Sequence, residues 1–390
     1  GTSTGSGSTG TGDFSQVLLD VPANPSGVPW TQYTASVAGT GRLALRFYQP
    51  ASGSSFDYAS NFRVDSLRVG APDLGVPFPA PGQTVHWTSA MSPVNLPEQH
   101  LVIPQGGTVI VDPGVAVNIA PTYRLDIRGT LDMRAGSAIT IPAEAFPPSE
   151  VNVYGTATLL GTQASPVRVL GGARDWAATS ERFGAMPGGR ITASYVDLQS
   201  TFSALNSGVV VADHVTASGD YAGFFTSGQV YTTGGTIAVR DSVLSRGAWI
   251  NINGGYLLID RTTFDNAQLY TGRYRGGQTM YLNNITARNH ADSCFRLTGS
   301  DHFFGPGNVI SGNGFPVHLY GAGIAPGSTL PASGNANNMV HGGIGTAVGA
   351  TTFANVGIPY RIDRDESMPD NMGGSLFVEP GVTVKMGPGA

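Results

Sequence analysis

Six short blocks of the chain share one plan: "ASYVDLQS" (193–200), "VADHVTAS" (211–218), "VRDSVLSR" (239–246), "DRTTFDNA" (260–267), "LNNITARN" (282–289) and "PGNVISGN" (306–313). Each holds a strand-like run, a polar pair, an apolar anchor and a turn rich in Asn, Ser or Gly. The anchors Val196, Val215, Val243, Phe264, Ile285 and Val309 stand 19, 28, 21, 21 and 24 residues apart. A period of this length, with two-residue alternation inside each block and no helical spacing, predicts the coils of a parallel β-helix. One coil cannot bury its apolar side alone, so stacked neighbours must complete the core. The expected fold class is all-β: a right-handed parallel β-helix (solenoid) with a small N-terminal β-sandwich portion.

Composition agrees. Gly accounts for 55 of 390 residues, about twice the usual share, and charged residues are 12%, about half of it. At 41% hydrophobic residues the chain can build a core, and turn-rich β structure uses the glycine. A net charge of −5 argues against nucleic acid as the main partner. No apolar run reaches membrane-spanning length. The single cysteine, Cys294, excludes an intrachain disulfide and reads as a small buried or half-buried residue.

The expected organisation is a Gly/Ser/Thr linker over 1–12, a β-sandwich or jelly-roll-like portion over 13–72, a Pro-rich connector over 73–99 and the β-helix over 100–350. Residues 351–390 read as the start of a second β-helix-like unit or as a cap. This last reading rests on a repeat. "GGTVIVDPGVAVNIAP" (106–121) returns as "GGSLFVEPGVTVKMGP" (373–388), at an offset of 379 − 112 = 267.

With "LDIRGTL" (125–131) after its first copy, the "[DE]PGV" pair resembles a module of large bacterial surface proteins built from right-handed parallel β-helix repeats. The resemblance covers roughly residues 85–390. It implies an extracellular or cell-surface location and a structural or adhesive role, with neighbouring modules of a longer parent chain as partners. Residues 13–72 resemble, generically, part of a jelly-roll module of the carbohydrate-binding type. Such modules hold a structural Ca²⁺, for which Asp65 is the weak candidate ligand; no other cofactor is implied.

Fold alone does not select a function. The alternation places Ile250 and Ile252 inward in "AWININGG", Phe295 and Leu297 inward in "SCFRLTG", and Val317 and Leu319 inward in "FPVHLYG". Trp249, Asn251, Cys294, Arg296, His318 and Tyr320 then face out. Asn251, Arg296 and His318 fall in one column, and the intervening coil adds Tyr270, Arg273, Tyr274 and Arg275. Aromatic faces stack on sugar rings and guanidinium groups pair with carboxylates, so this patch is a candidate glycan-binding face. An ordinary solvated face with the same residues is the alternative.

A polysaccharide lyase or glycoside hydrolase is the rival function, with Arg296, His318 and Tyr320 as candidate catalytic residues. Residues 190–325 carry no Asp-Asp or Asp-x-Asp pair of the kind glycosidases favour. The acidic run "RIDRDESMPD" (361–370) lacks the spacing of a calcium loop.

Overall fold

The computed structural model describes residues 75–142, 149–171, 183–219, 222–227, 234–271, 278–299, 301–343, 350–363 and 375–387. The expected sandwich, with Asp65, lies outside these residues, as do Arg273, Tyr274 and Arg275. What is described is all-β, and its one helical element is a 3-10 turn over Ser89–Met91.

Every named pair of strands is parallel, and the strands stack into three faces of a β-helix. The first face runs from Thr84–Trp87 through Thr108–Val111, Thr236–Arg240 and Gly255–Asp260 to Ser375–Val378. The second runs from Val94–Asn95 to Val309–Ser311. The third holds 13 strands, from Leu101–Ile103 to Val384–Met386. Two long strands, Arg190–Leu198 and Val209–Ser218, each serve the first and second faces in turn. They bend at Tyr195 and His214, which take φ of 50° and 52°.

The stacking therefore begins at Thr84, inside the segment read as a connector. It continues without a change of face through Ala350–Phe353 and Tyr360–Ile362, inside the segment read as a second unit or cap.

Alternation builds the interior. Inward residues of adjacent turns lie one strand spacing apart, about 4.8 Å, and stack by type. Phe183, Phe202 and Phe224 form one buried aromatic file on the third face, and Phe264, Phe295 and Phe304, one from each face, meet across the interior.

The corner that opens the first face is a column of glycines. Gly107, Gly129, Gly155, Gly189, Gly208, Gly235 and Gly255 each precede a strand residue in register, and each of the first six accepts a hydrogen bond from the strand residue of the next turn. A Cβ on Gly155 would lie 2.2 Å from the Gly129 carbonyl oxygen, which no side chain tolerates.

The corner between the first and second faces uses another device. Val196 and Val215 fill it in two turns, but Ser242, Thr262 and Asn308 take the same place later. Their polar atoms serve the backbone: Val215 N–H donates to Ser242 Oγ (3.0 Å) and Ile285 N–H to Asn308 Oδ1 (3.1 Å). This corrects two of the expected anchors. Val243 and Val309 stand one residue past the corner and are exposed, while Leu244 and Ile310 beside them are buried. Phe264 is buried two residues past the corner, in the second-face strand.

The repeated segment makes the same turn twice. Asp112 N–H donates to the Trp87 carbonyl (3.0 Å) and Glu379 N–H to that of Phe353 (3.1 Å). Both carboxylates reach the preceding turn, Asp112 to His86 Nδ1 (3.0 Å) and Glu379 to Asn355 N–H (2.7 Å). The copies then diverge. Ala116–Asn118 joins the second face, but Val384–Met386 joins the third, because no strand lies between Ala350–Phe353 and Tyr360–Ile362 for it to stack on.

Candidate functional site

The third face carries the column that the alternation predicts, and it is longer than predicted. Asn251 in Trp249–Asn253 pairs in register with Tyr270 in Gln268–Thr271, Tyr270 with Arg296 in Ser293–Thr298, and Arg296 with His318 in Phe315–Tyr320. His318 continues to His341 in Val340–Gly343, His341 to Arg361 in Tyr360–Ile362, and Arg361 to Lys385 in Val384–Met386. Seven outward side chains thus stand in one file, and the last five carry a guanidinium, imidazole or ammonium group.

Inward neighbours fix the register of most members; at Lys385 the flanking Met386 is exposed. Ile250 and Ile252 flank Asn251, Phe295 and Leu297 flank Arg296, Val317 and Leu319 flank His318, and all six are buried. A one-residue slip would expose the six and bury the file, so the core fixes which side chains face out.

The members touch along the file. The Arg296 guanidinium lies 5.8 Å from the Tyr270 ring centre and pairs with Asp292. His318 is sandwiched: the Tyr320 ring stacks on it at 3.9 Å, and the His341 ring lies at 4.1 Å on the file. The Tyr320 hydroxyl meets His318 Nδ1 at 3.1 Å. Phe315 stacks on His341 at 4.8 Å. His341 Nε2 (2.8 Å) and Arg361 Nε (2.9 Å) hold the two oxygens of Asp363. Asp363 is shifted below the usual carboxylate range; burial works against this shift, and the hydrogen bonds from Arg361 and His341 overcome it. Burial raises the Tyr270 phenol above its ordinary value, and the Arg296 charge opposes that rise.

Two expectations change. Cys294, which strict alternation turns outward, is fully buried as expected for a small apolar residue, and its thiol donates to the Ala267 carbonyl (3.2 Å). Ser293, Cys294 and Phe295 are buried in succession, so the chain is still rounding a corner there and strict alternation starts only at Phe295. His318 faces the file but is only 7% exposed, because its two ring neighbours cover it.

His341, Arg361 and Lys385 were absent from the expected site. The signal for Arg361 is a triplet, a polar or charged residue between two core positions: "INI" (250–252), "FRL" (295–297), "VHL" (317–319) and "YRI" (360–362), a pattern of which "VHG" (340–342) and "VKM" (384–386) keep only part.

Among the described residues, the carboxylates that pair with members of the file are Asp292 and Asp363, each held by a cation. Among the described residues, the one group of three acidic or imidazole side chains close enough to share an ion is Asp213, His214 and Asp241, at the far corner between the first and second faces. Asp241 there is taken by Arg261.

Fold and face together define a class: a parallel β-helix displaying a cationic and aromatic file along one face. No family model matches the chain, and no curated protein matches it. A solved structure described as "Crystal structure of TibC-catalyzed hyper-glycosylated TibA55-350 fragment" overlaps 78% of this chain and 98% of that one, at 14% identity and a TM-score of 0.26. An overlap that loose carries no argument about function. No helix among the described residues is long and apolar enough to cross a membrane.

Proposed function

We propose that this is an extracellular or cell-surface β-helix protein, structural and adhesive in role, whose third face binds an acidic glycan. The observation that carries the reading is the register from Tyr270 to Lys385, which sets a cation or aromatic ring at every turn. A polymer of uronic or other acidic sugars offers a carboxylate at regular intervals and a C–H face for rings to stack on. Its carboxylates exchange with Asp292 and Asp363, which hold Arg296, His341 and Arg361 ready in the free protein.

A lyase at Arg296, His318 and Tyr320 is the second reading, because the 3.1 Å contact between His318 Nδ1 and the Tyr320 hydroxyl joins a base to an acid. The stacked rings over His318 weigh against it, since a substrate must displace one of them to reach the imidazole.

The test is a glycan array run with and without chelator, followed on every hit by an assay for unsaturated sugar ends. The expected result is binding to acidic glycans, weakened at least tenfold by Arg296→Ala, insensitive to chelator and free of product. Release of unsaturated ends would move the protein to the lyase reading. Failure to bind any acidic glycan would leave a structural role alone.

A further inference from the structure

The first face carries a second ordered array that the third-face reading does not use. Its outward residues come in rows, one per turn: Ala238 and Arg240, then Leu258 and Asp260, then Tyr281 and Asn283, then Phe303. One column is therefore apolar, and the column beside it is polar. The apolar column ends in two rings, with Tyr281 and Phe303 centred 5.9 Å apart. Tyr281 is 46% exposed, and Tyr256, one place back along the Leu258 strand, is 58% exposed. Leu258 stands beside both Tyr256 and Tyr281, so these side chains form one continuous apolar strip and not scattered single residues.

The polar column closes on Gly305. A Cβ there would fall 1.7 Å from Asn283 Oδ1, so the glycine is what lets the Asn283 amide occupy that place. Beside the column lies a shallow depression of about 500 Å³, lined by Arg240, Leu258, Asp260, Arg261, Asn283 and Asn284.

This depression is preorganised by its own ion pairs. Arg261 grips Asp241 through two bonds (2.6 and 2.7 Å) and also pairs with Asp260, while Asn284 Nδ2 donates to Asp260 Oδ1 (2.9 Å). The guanidinium groups of Arg240 and Arg261 stand against the carboxylates of Asp241 and Asp260, and Asp213 pairs in register with Arg240 on the preceding turn. A shelf of rings beside planar polar groups, with carboxylates that outnumber its guanidinium groups, suits a ligand with one apolar face, a rim of hydroxyls and no negative charge.

We propose that this shelf is a second binding site and takes a neutral oligosaccharide laid along the helix axis. Sugar C–H faces rest on Leu258, Tyr281 and Phe303, and the hydroxyls meet Arg240, Asp260 and Asn283. A pyranose ring spans about one strand spacing, ~5 Å, so successive sugars fall on successive turns. Exposed rings beside a polar depression are the pairing of surfaces that sugars use. The site shares no residue with the third-face file.

The test is calorimetric titration with cellohexaose, xylohexaose and chitohexaose. The wild type, Tyr281→Ala, Asn283→Ala and Arg296→Ala are compared, each checked for an unchanged melting curve. At least one hexasaccharide should bind, with affinity lowered tenfold or more by Tyr281→Ala and by Asn283→Ala and unchanged by Arg296→Ala. Binding that survives both first-face substitutions overturns the proposal, as does binding of none of the three sugars. Sedimentation of wild type and Leu258→Glu is the second measurement. A wild-type dimer that Leu258→Glu dissociates would make the shelf a protein interface and overturn the saccharide reading as well.

Discussion

His302 lies fully buried, with Nε2–H donating to the Thr298 carbonyl (3.2 Å) and no hydrogen-bond partner for Nδ1 among the described residues. Adding a proton at Nδ1 would place a charge in the core, and burial holds the pKa near 4. His100 is also lowered to about 4, by burial first and by the Arg124 charge second. Its Nδ1 accepts from Arg124 N–H (3.2 Å), which requires the unprotonated atom. The unfolded chain protonates both imidazoles near pH 6.5 and the folded chain near pH 4. Between those values the unfolded state binds more protons, so stability falls as pH drops from 6.5 to 4. For His302 the loss is of order 3 kcal/mol. Denaturant unfolding at pH 7 and pH 4.5 should show this drop, and His302→Gln should flatten it; an identical slope in the variant would assign the drop to other groups. Cys294 offers a simpler check. Burial raises its thiol far above the ordinary range, so the native protein should resist alkylation that the unfolded chain undergoes at once.

At the scale of the element, the corners carry more information than the strands. The glycine column leaves no space for a methyl group: Gly155→Ala would set a Cβ 2.2 Å from one carbonyl oxygen and 2.5 Å from another, both backbone. The expected cost is at least about 1–3 kcal/mol, read as a lower denaturant midpoint with unchanged slope, whereas Thr156→Ala next to it should cost little. The sequence makes the strands visible because inward positions alternate, and this is enough to identify the fold class and place Asn251, Arg296 and His318 in one file, with Tyr270 on the coil between them. Corners hide their register. Where Val196 and Val215 give way to Ser242, Thr262 and Asn308, a reader following apolar anchors slips by one, onto Val243 and Val309. Alternation misplaces Cys294 because a strand's first residues do not yet alternate. The far end of the file was missed because its triplets sit in short strands, separated by long runs that obscure the period.

For the whole molecule, each turn touches only its neighbours, so damage should stay local. Phe295 packs edge-on between Phe264 and Phe304, at 5.7 and 5.8 Å. Phe295→Ala should cost about 3–5 kcal/mol. Hydrogen exchange should then rise in the strands around residues 268–320 while Leu101–Ile103 and Leu125 keep their protection. Uniform loss of protection along the chain would show that the stack unfolds as one unit.

The hydrogen bonds that join the turns all run along the helix axis. A load applied to the two ends therefore pulls on them head-on, one turn at a time, and not on all of them together in shear. Each turn that peels away frees about 24 residues, or roughly 80–85 Å of slack. A β-helix loaded this way gives ground in small steps, and rewinds when the load eases, because every remaining turn still offers an edge on which the next can form.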